Sequence, residues 1–257
     1  MFSLWFCTRL SVKPYSLIVR LSNMSSAVEE GKKKAAYIAV DKFVQDNQKI
    51  GIGSGSTIVY AVDRLAERVS AEGLRVQCVP TSFQARQLVT ARALPLTDLE
   101  QCPRLDLAID GADEVDRDRV CIKGGGGCLA QEKIVAAAAQ RFVVIADTSK
   151  RSQRLGDHWK RGVPIEVLPM AYRTVQLAIE GRHGGTAPLR LAKQKAGPVV
   201  TDNGNLLLDW LFPDGDHDWK TLSVQLKMIP GVVETGLFVD MAECVIFGGP
   251  DGTEELH

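Results

Sequence analysis

Residues 49–57 read Lys49-Ile50-Gly51-Ile52-Gly53-Ser54-Gly55-Ser56-Thr57. A short apolar strand runs into glycines and hydroxyls. A helix then follows at once, because Ile58, Val59, Val62, Leu65, Ala66 and Val69 recur at helical spacing. Strand, glycine turn and helix together open an α/β unit, and the chain downstream repeats the pattern. Residues 74–79 read as a second strand and 82–90 as a second helix. Residues 105–110 form an apolar strand ending in acid, and 119–123 a further short strand. A helix over 129–140 and an apolar strand over 141–146 follow the next glycine run. Upstream, residues 30–46 place Ala35, Ala36, Ile38, Ala39, Val40, Phe43 and Val44 mostly on one helical face, with lysines opposite. Strands alternating with helices predict an α/β fold, a mainly parallel sheet with helices on both faces.

After about Trp159 the texture changes. Residues 163–167 and 189–192 read as strands, with a helix over 172–180 between them. Residues 199–202, then Asn203-Gly204-Asn205, then 206–211 read as a hairpin, since Asn-Gly supplies the positive φ of a tight turn. A helix over 219–228 leads through Pro230-Gly231 to apolar runs at 232–239 and 245–247. The last strands are expected to return to the first sheet. The expected organisation is one α/β domain from 29–159 with 236–257, and a smaller inserted α+β domain over 160–235.

The composition narrows the function. The chain has 257 residues, 45% hydrophobic and 24% charged, with 31 basic and 31 acidic residues. That zero balance argues against nucleic acid as partner, because phosphate backbones are bound by excess positive charge. No apolar run reaches the ~18 residues of a membrane span. The six cysteines are irregularly spaced and the four histidines stand apart, so no metal site is expected. Reduced thiols imply a cytoplasmic setting. Residues 1–28 carry Arg9, Lys13 and Arg20 and no acid. Two readings stay open there, an organelle transit peptide and a disordered leader from which Met24 could start the folded protein.

Three segments carry chemistry. Around Gly51–Thr57, glycine lets the backbone approach a ligand, and free N–H groups at a helix start attract an anion. Ser54, Ser56 and Thr57 add hydroxyls around Gly55, so a phosphate is the natural ligand. A simple capping turn is the alternative. Asp110-Gly111-Ala112-Asp113-Glu114 sets three acids at a strand's C-terminal end, where open α/β sheets bind ligands. Crowded carboxylates raise one another's pKa and permit proton transfer. They could equally hold Mg²⁺ or form a solvated loop. Lys123-Gly124-Gly125-Gly126-Gly127 precedes Glu132, an acid early in the next helix. Lys123 can neutralise an oxyanion. Glu132 is a candidate base, or an acid that merely compensates the helix dipole. An anion anchor, a base, acids and a cation together suit proton transfer between adjacent carbons of a phosphosugar.

These segments, with Gln131-Glu132-Lys133-Ile134, Ile145-Ala146-Asp147, Pro164-Ile165-Glu166-Val167, Val199-Val200-Thr201-Asp202-Asn203-Gly204-Asn205 and Ile229-Pro230-Gly231-Val232-Val233, closely resemble the type A ribose-5-phosphate isomerase family. The resemblance runs in order from about residue 29 to 252. It implies a Rossmann-like fold and the interconversion of ribose 5-phosphate and ribulose 5-phosphate through an enediolate, without metal or organic cofactor. It implies Glu132 as general base, Asp110 as a carboxylate that handles hydroxyl protons and helps open the sugar ring, and Asp113 as its neighbour in the site. It gives Lys123 the enediolate oxygen. Ser54, Gly55, Ser56, Thr57, Gly124, Gly125 and Gly126 become substrate contacts, and Lys33 and Lys150 lie near the phosphate. It further implies a homo-oligomer, with a dimer favoured. Two other classes meet obstacles in the sequence. A phosphosugar-sensing regulator would need a DNA-reading module, for which 28 residues are too few. A coenzyme A transferase with a Glu nucleophile would need a coenzyme site that 257 residues barely accommodate.

Overall fold

The structure, a computed structural model, describes residues 15–257, with side chains from residue 26 onward. Helix α1 (Tyr15–Phe43) leads to β1 (Lys49–Ile52), α2 (Ser56–Glu72), β2 (Gln77–Pro80) and α3 (Phe83–Ala91). Then come β3 (Leu105–Asp110), β4 (Glu114–Val115), β5 (Cys121–Ile122), α4 (Leu129–Ala138) and β6 (Ala139–Asp147). The second half holds β7 (Val163–Val167), α5 (Tyr172–His183), β8 (Leu206–Trp210), α6 (Trp219–Lys227) and β9 (Val232–Thr235). It closes with β10 (Leu237–Phe238), β11 (Cys244–Gly249) and β12 (Gly252–Leu256).

Six strands form the main sheet in the order β12-β11-β6-β3-β1-β2. All its neighbours are parallel except the β11–β12 edge pair. Period-two alternation sorts the side chains. Ile50, Ile52, Leu107, Ile109, Val143, Ile145, Cys244 and Ile246 pack under α1, α2 and α3. Val144, Ala146, Val245 and Phe247 point to the other face, against Val135 and Ala136 of α4. Both faces are therefore covered, as a parallel sheet requires.

A three-stranded antiparallel sheet, β8-β7-β9, packs with α5 and α6 around Val163, Ile165, Trp210, Val175 and Leu226. A second small sheet, β10-β5-β4, joins the two. Leu129 and Ala130 of α4 bury Leu207 of β8. Among the described residues no helix is long and apolar enough to cross a membrane.

Three local expectations are corrected. The strand at 206–211 does not pair with 199–202. Its partner is β7, from Val163↔Trp210 to Val167↔Leu206. The Asn-Gly turn does form, with Gly204 N–H donating to Thr201 O. The preceding run is instead drawn to the buried Glu166 carboxylate, whose Oε1 accepts from Thr201 Oγ1, Asn203 Nδ2 and Asn205 Nδ2, each at 2.9 Å. Residues 189–192 make only isolated bridges, to Leu208 and Pro198. The run 232–239 breaks at Gly236, whose N–H donates to Pro164 O while its carbonyl accepts from Lys123 N. The leader expected over 1–28 lies outside the described residues as far as residue 14. From Tyr15 the chain is already helical in α1. No Pro or Gly interrupts the sequence between Tyr15 and Gly31, so nothing in it stops the helix at residue 29.

Candidate active site

Because β1, β3 and β6 run parallel, their C-terminal ends open onto one edge of the sheet. A cleft of about 280 Å³ lies there. It takes Ser54 to Thr57 from the turn after β1, Gly111 to Asp113 after β3, and Asp147, Ser149 and Lys150 after β6. Lys123 to Gly126, Cys128 and Glu132 close one side, and Val28, Lys32 and Gln84 another.

Asp110 ends β3 with its side chain buried. Its Oδ1 accepts from Ser54 N at 2.9 Å and from Gly111 N at 2.7 Å. Gly53 permits this approach, since a Cβ there would stand 2.0 Å from Asp110 Oδ1. The Lys123 ammonium, 3% exposed, donates to Gly111 O at 2.5 Å. It also sits 2.9 Å from Asp110 Oδ2 and 3.2 Å from Glu132 Oε2. Both oxygens are buried, and among the described residues the Lys123 ammonium alone compensates them. They retain lone pairs for a substrate's hydroxyls. Asp113 Oδ2 accepts from Gly125 N at 2.6 Å.

The charges are strongly perturbed. Burial raises the Glu132 carboxyl, and the charge of Asp110 adds to it. Lys123 opposes both, and the group settles at about 8. Burial likewise raises Asp113, against the pull of the Gly125 N–H and Lys123. Burial alone would push the Lys123 ammonium down. Asp110 and Glu132 outweigh it, and the group is held above the ordinary lysine range. A base near neutrality beside a permanent cation suits proton abstraction next to a carbonyl. The first turn of α4 supplies Glu132, but complete burial and the Lys123 contact exceed what a dipole-compensating surface acid would make.

The other end of the cleft is built for an anion. Gly55, at φ 104°, turns the chain into α2, whose first residues Ser56 and Thr57 line the opening. Ser54 Oγ lies 2.9 Å from Thr81 Oγ1 and donates to Ser82 Oγ at 2.6 Å. Lys150, on the turn capped by Asp147, stands 6.0 Å over the Trp159 ring. The sequence assignment of Lys33 is corrected here. Lys33 lies over the Tyr37 ring at 5.3 Å, and it is Lys32, paired with Glu29 at 2.7 Å, that reaches the cleft. One residue rotates a side chain by about 100° around a helix, so a run of three lysines hides which one faces inward.

A grouping of possible metal ligands that spacing did not suggest is Cys244, Glu255 and His257, with ligand atoms within 4.8 Å of one another. It lies at the start of β11, the far end of the sheet from Asp147, and Glu255 already pairs with Lys42.

The family model for ribose 5-phosphate isomerase A (phosphoriboisomerase A) matches residues 77–252. The chain belongs to this isomerase family. A ribose-5-phosphate isomerase of Homo sapiens is 60% identical over 236 residues, covering 92% of this chain and 75% of that one. The solved ribose 5-phosphate isomerase A of Methanocaldococcus jannaschii superposes with a TM-score of 0.81 at 41% identity, over 88% of this chain and 97% of that one. A D-ribose-5-phosphate isomerase in complex with phospho-erythronic acid gives 0.84 at 40% identity, over 90% and 99%. Within this isomerase chain, sequence reasoning missed Lys32, Gln84, Cys128, Asp147 and Ser149 as cleft residues. Asp147 and Ser149 were legible in principle, because they follow an apolar strand at the same sheet edge as Asp110. Gln84 had no local signal. Its Oε1 accepts from Gly55 N at 2.9 Å, across 29 residues.

Proposed function

We propose that this chain interconverts D-ribose 5-phosphate and D-ribulose 5-phosphate through an enediolate, with Glu132 as the base. The buried Glu132–Lys123–Asp110 cluster carries the reading: an elevated carboxyl, a cation and a second carboxylate stand in contact out of bulk solvent. The phosphate docks at the start of α2 between Lys32 and Lys150. Remote binding there holds the sugar's reacting carbons at Glu132. Glu132 takes the C2 proton of the open aldose and returns it to C1. Lys123 faces the charge growing on the carbonyl oxygen, and Asp110 and Asp113 exchange protons with the hydroxyls and assist ring opening. Each step uses side chains of the chain itself and requires no metal or organic cofactor. Phospho-erythronic acid, bound by a structural relative, has a phosphate at one end and a planar carboxylate at the other, which fits a site that grips both ends of an enediolate.

The reading extends to a cytoplasmic homodimer acting in the non-oxidative pentose phosphate pathway, with 160–235 as a small domain inserted in the catalytic one. Free, buried Cys78, Cys102, Cys121 and Cys244 support a reducing compartment. Exposed Met170, Val224 and Met228 support a further apolar interface. The test is ketopentose formation from ribose 5-phosphate in EDTA. Rapid turnover is expected. A folded protein that binds ribose 5-phosphate without converting it would overturn the reading in favour of a sensor.

A further inference from the structure

Arg190 lies outside the cleft, on the segment before β8, and its guanidinium is buried, with 8% of the side chain exposed. All three of its nitrogens donate. Nε donates to Asp209 Oδ2 at 2.9 Å, and Nη2 donates to Asp209 Oδ1. The remaining arm, Nη1, crosses 66 residues of sequence to donate to Gly124 O at 2.9 Å, and reaches Gly125 O at 3.2 Å. Arg190 therefore grips two successive carbonyls of the glycine run that follows Lys123.

A trans peptide is planar, with its N–H opposite its C=O. Turning the Gly124 carbonyl toward Arg190 aims the Gly125 N–H the other way, and it donates to Asp113 Oδ2 at 2.6 Å. Turning the Gly125 carbonyl toward Arg190 aims the Gly126 N–H away from Arg190. Gly126 lines the cleft, and among the described residues its N–H has no protein partner. Gly127 N–H also donates to Gly124 O at 3.0 Å, but among the described residues Arg190 is the one donor to Gly125 O, and unheld glycines sample many backbone directions.

We propose that Arg190, held by Asp209, is a positioning residue that locks the Gly124–Gly126 peptides so that the Gly126 N–H faces the substrate's carbonyl end and Asp113 is fixed beside it. The inference rests on the isomerase reading. It also ties the segment outside the main sheet to the chemistry, because Arg190 and Asp209 both lie beyond residue 160. A lysine in place of Arg190 cannot hold Asp209 with two donors and reach the carbonyls as well.

The test compares wild type with Arg190→Lys, Arg190→Met and Asp209→Asn in steady-state isomerisation of ribose 5-phosphate, with thermal melts and inhibition by phospho-erythronic acid alongside. Arg190→Met is expected to lower kcat about 10- to 100-fold with KM within about threefold. Arg190→Lys should recover folding but not kcat. Asp209→Asn should give a smaller loss of the same kind. Equal kcat per folded molecule in wild type and Arg190→Lys, or a loss confined to KM, would overturn the proposal. An inactive wild type would instead defeat the isomerase reading on which it rests.

Discussion

Replacing Glu132 by Gln should abolish activity and at the same time stabilise the fold. The folded chain holds the Glu132 carboxyl at about 8, raised by burial and by Asp110 from an ordinary 4.5. Between those two values the unfolded chain releases the proton while the folded chain keeps it. The group's raised value therefore costs stability as pH climbs through that window and costs nothing below it. At pH 7 the unfolded carboxyl is about 2.5 pH units past its own titration, and at about 1.4 kcal/mol per unit the cost is about 3 kcal/mol as an upper bound. Gln keeps the shape and carries no charge, so the variant avoids this cost. In a chain of this size about 3 kcal/mol raises Tm by about 6–12 °C. Melts of both proteins at pH 4.5 and pH 7.5 measure it. The variant should be the more stable at pH 7.5, with the gap closing at pH 4.5. Turnover should fall by about 10²–10⁴. In the wild type, kcat/KM should climb with pH up to about 8 and then level, since the base must be ionised. A variant less stable than wild type at pH 7.5, a gap that ignores pH, or a flat kcat/KM from pH 6 to 8 would refute the reasoning.

Further outcomes follow from other contacts. Lys32→Ala should raise KM more than about tenfold with kcat little changed, whereas Lys33→Ala should leave both within about twofold, because only Lys32 reaches the cleft. Gly53→Ala sets a Cβ 2.0 Å from Asp110 Oδ1 and 2.6 Å from its Cα, so the backbone must shift. Steady-state kinetics should record a kcat loss of about tenfold or more, since small misplacements at reacting groups are costly. Glu114→Ala removes a buried carboxylate that accepts from Ser152 Oγ, Gly156 N, His158 N and Trp159 N. Stranding those donors should cost about 3 kcal/mol or more in denaturant titration.

Much of this was readable along the chain. Leu105–Asp110 and Val163–Val167 form strands over the expected residues, because Leu105, Leu107 and Ile109, like Val163, Ile165 and Val167, place apolar side chains at alternate positions. Asp110, Asp113, Lys123 and Glu132 were marked by local pattern; the fold lines one cleft with Asp113, Lys123 and Glu132 and sets Asp110 against Lys123. The hairpin at 199–211 failed for a different reason. Its turn chemistry is local and correct, but the partner of β8 is chosen by burial against β7 and by three side chains competing for Glu166. The lysine run failed because three equivalent cations in a row carry no information on which faces inward.

The sequence by itself determined the order of elements, the glycine turn before α2 and the residue types available for proton transfer, all of which depend on neighbours a few positions apart. Only the tertiary structure decided which charges meet. Lys123 owes its place to Gly111 and to the antiparallel pairing of β5 with β10, and Glu132 owes its elevated carboxyl to burial beside an acid 22 residues away. The Gly124 and Gly125 carbonyls meet the guanidinium of Arg190, 66 and 65 residues away. Desolvation and Coulomb interaction act through space, and the chain's local pattern does not record which distant groups will share a pocket.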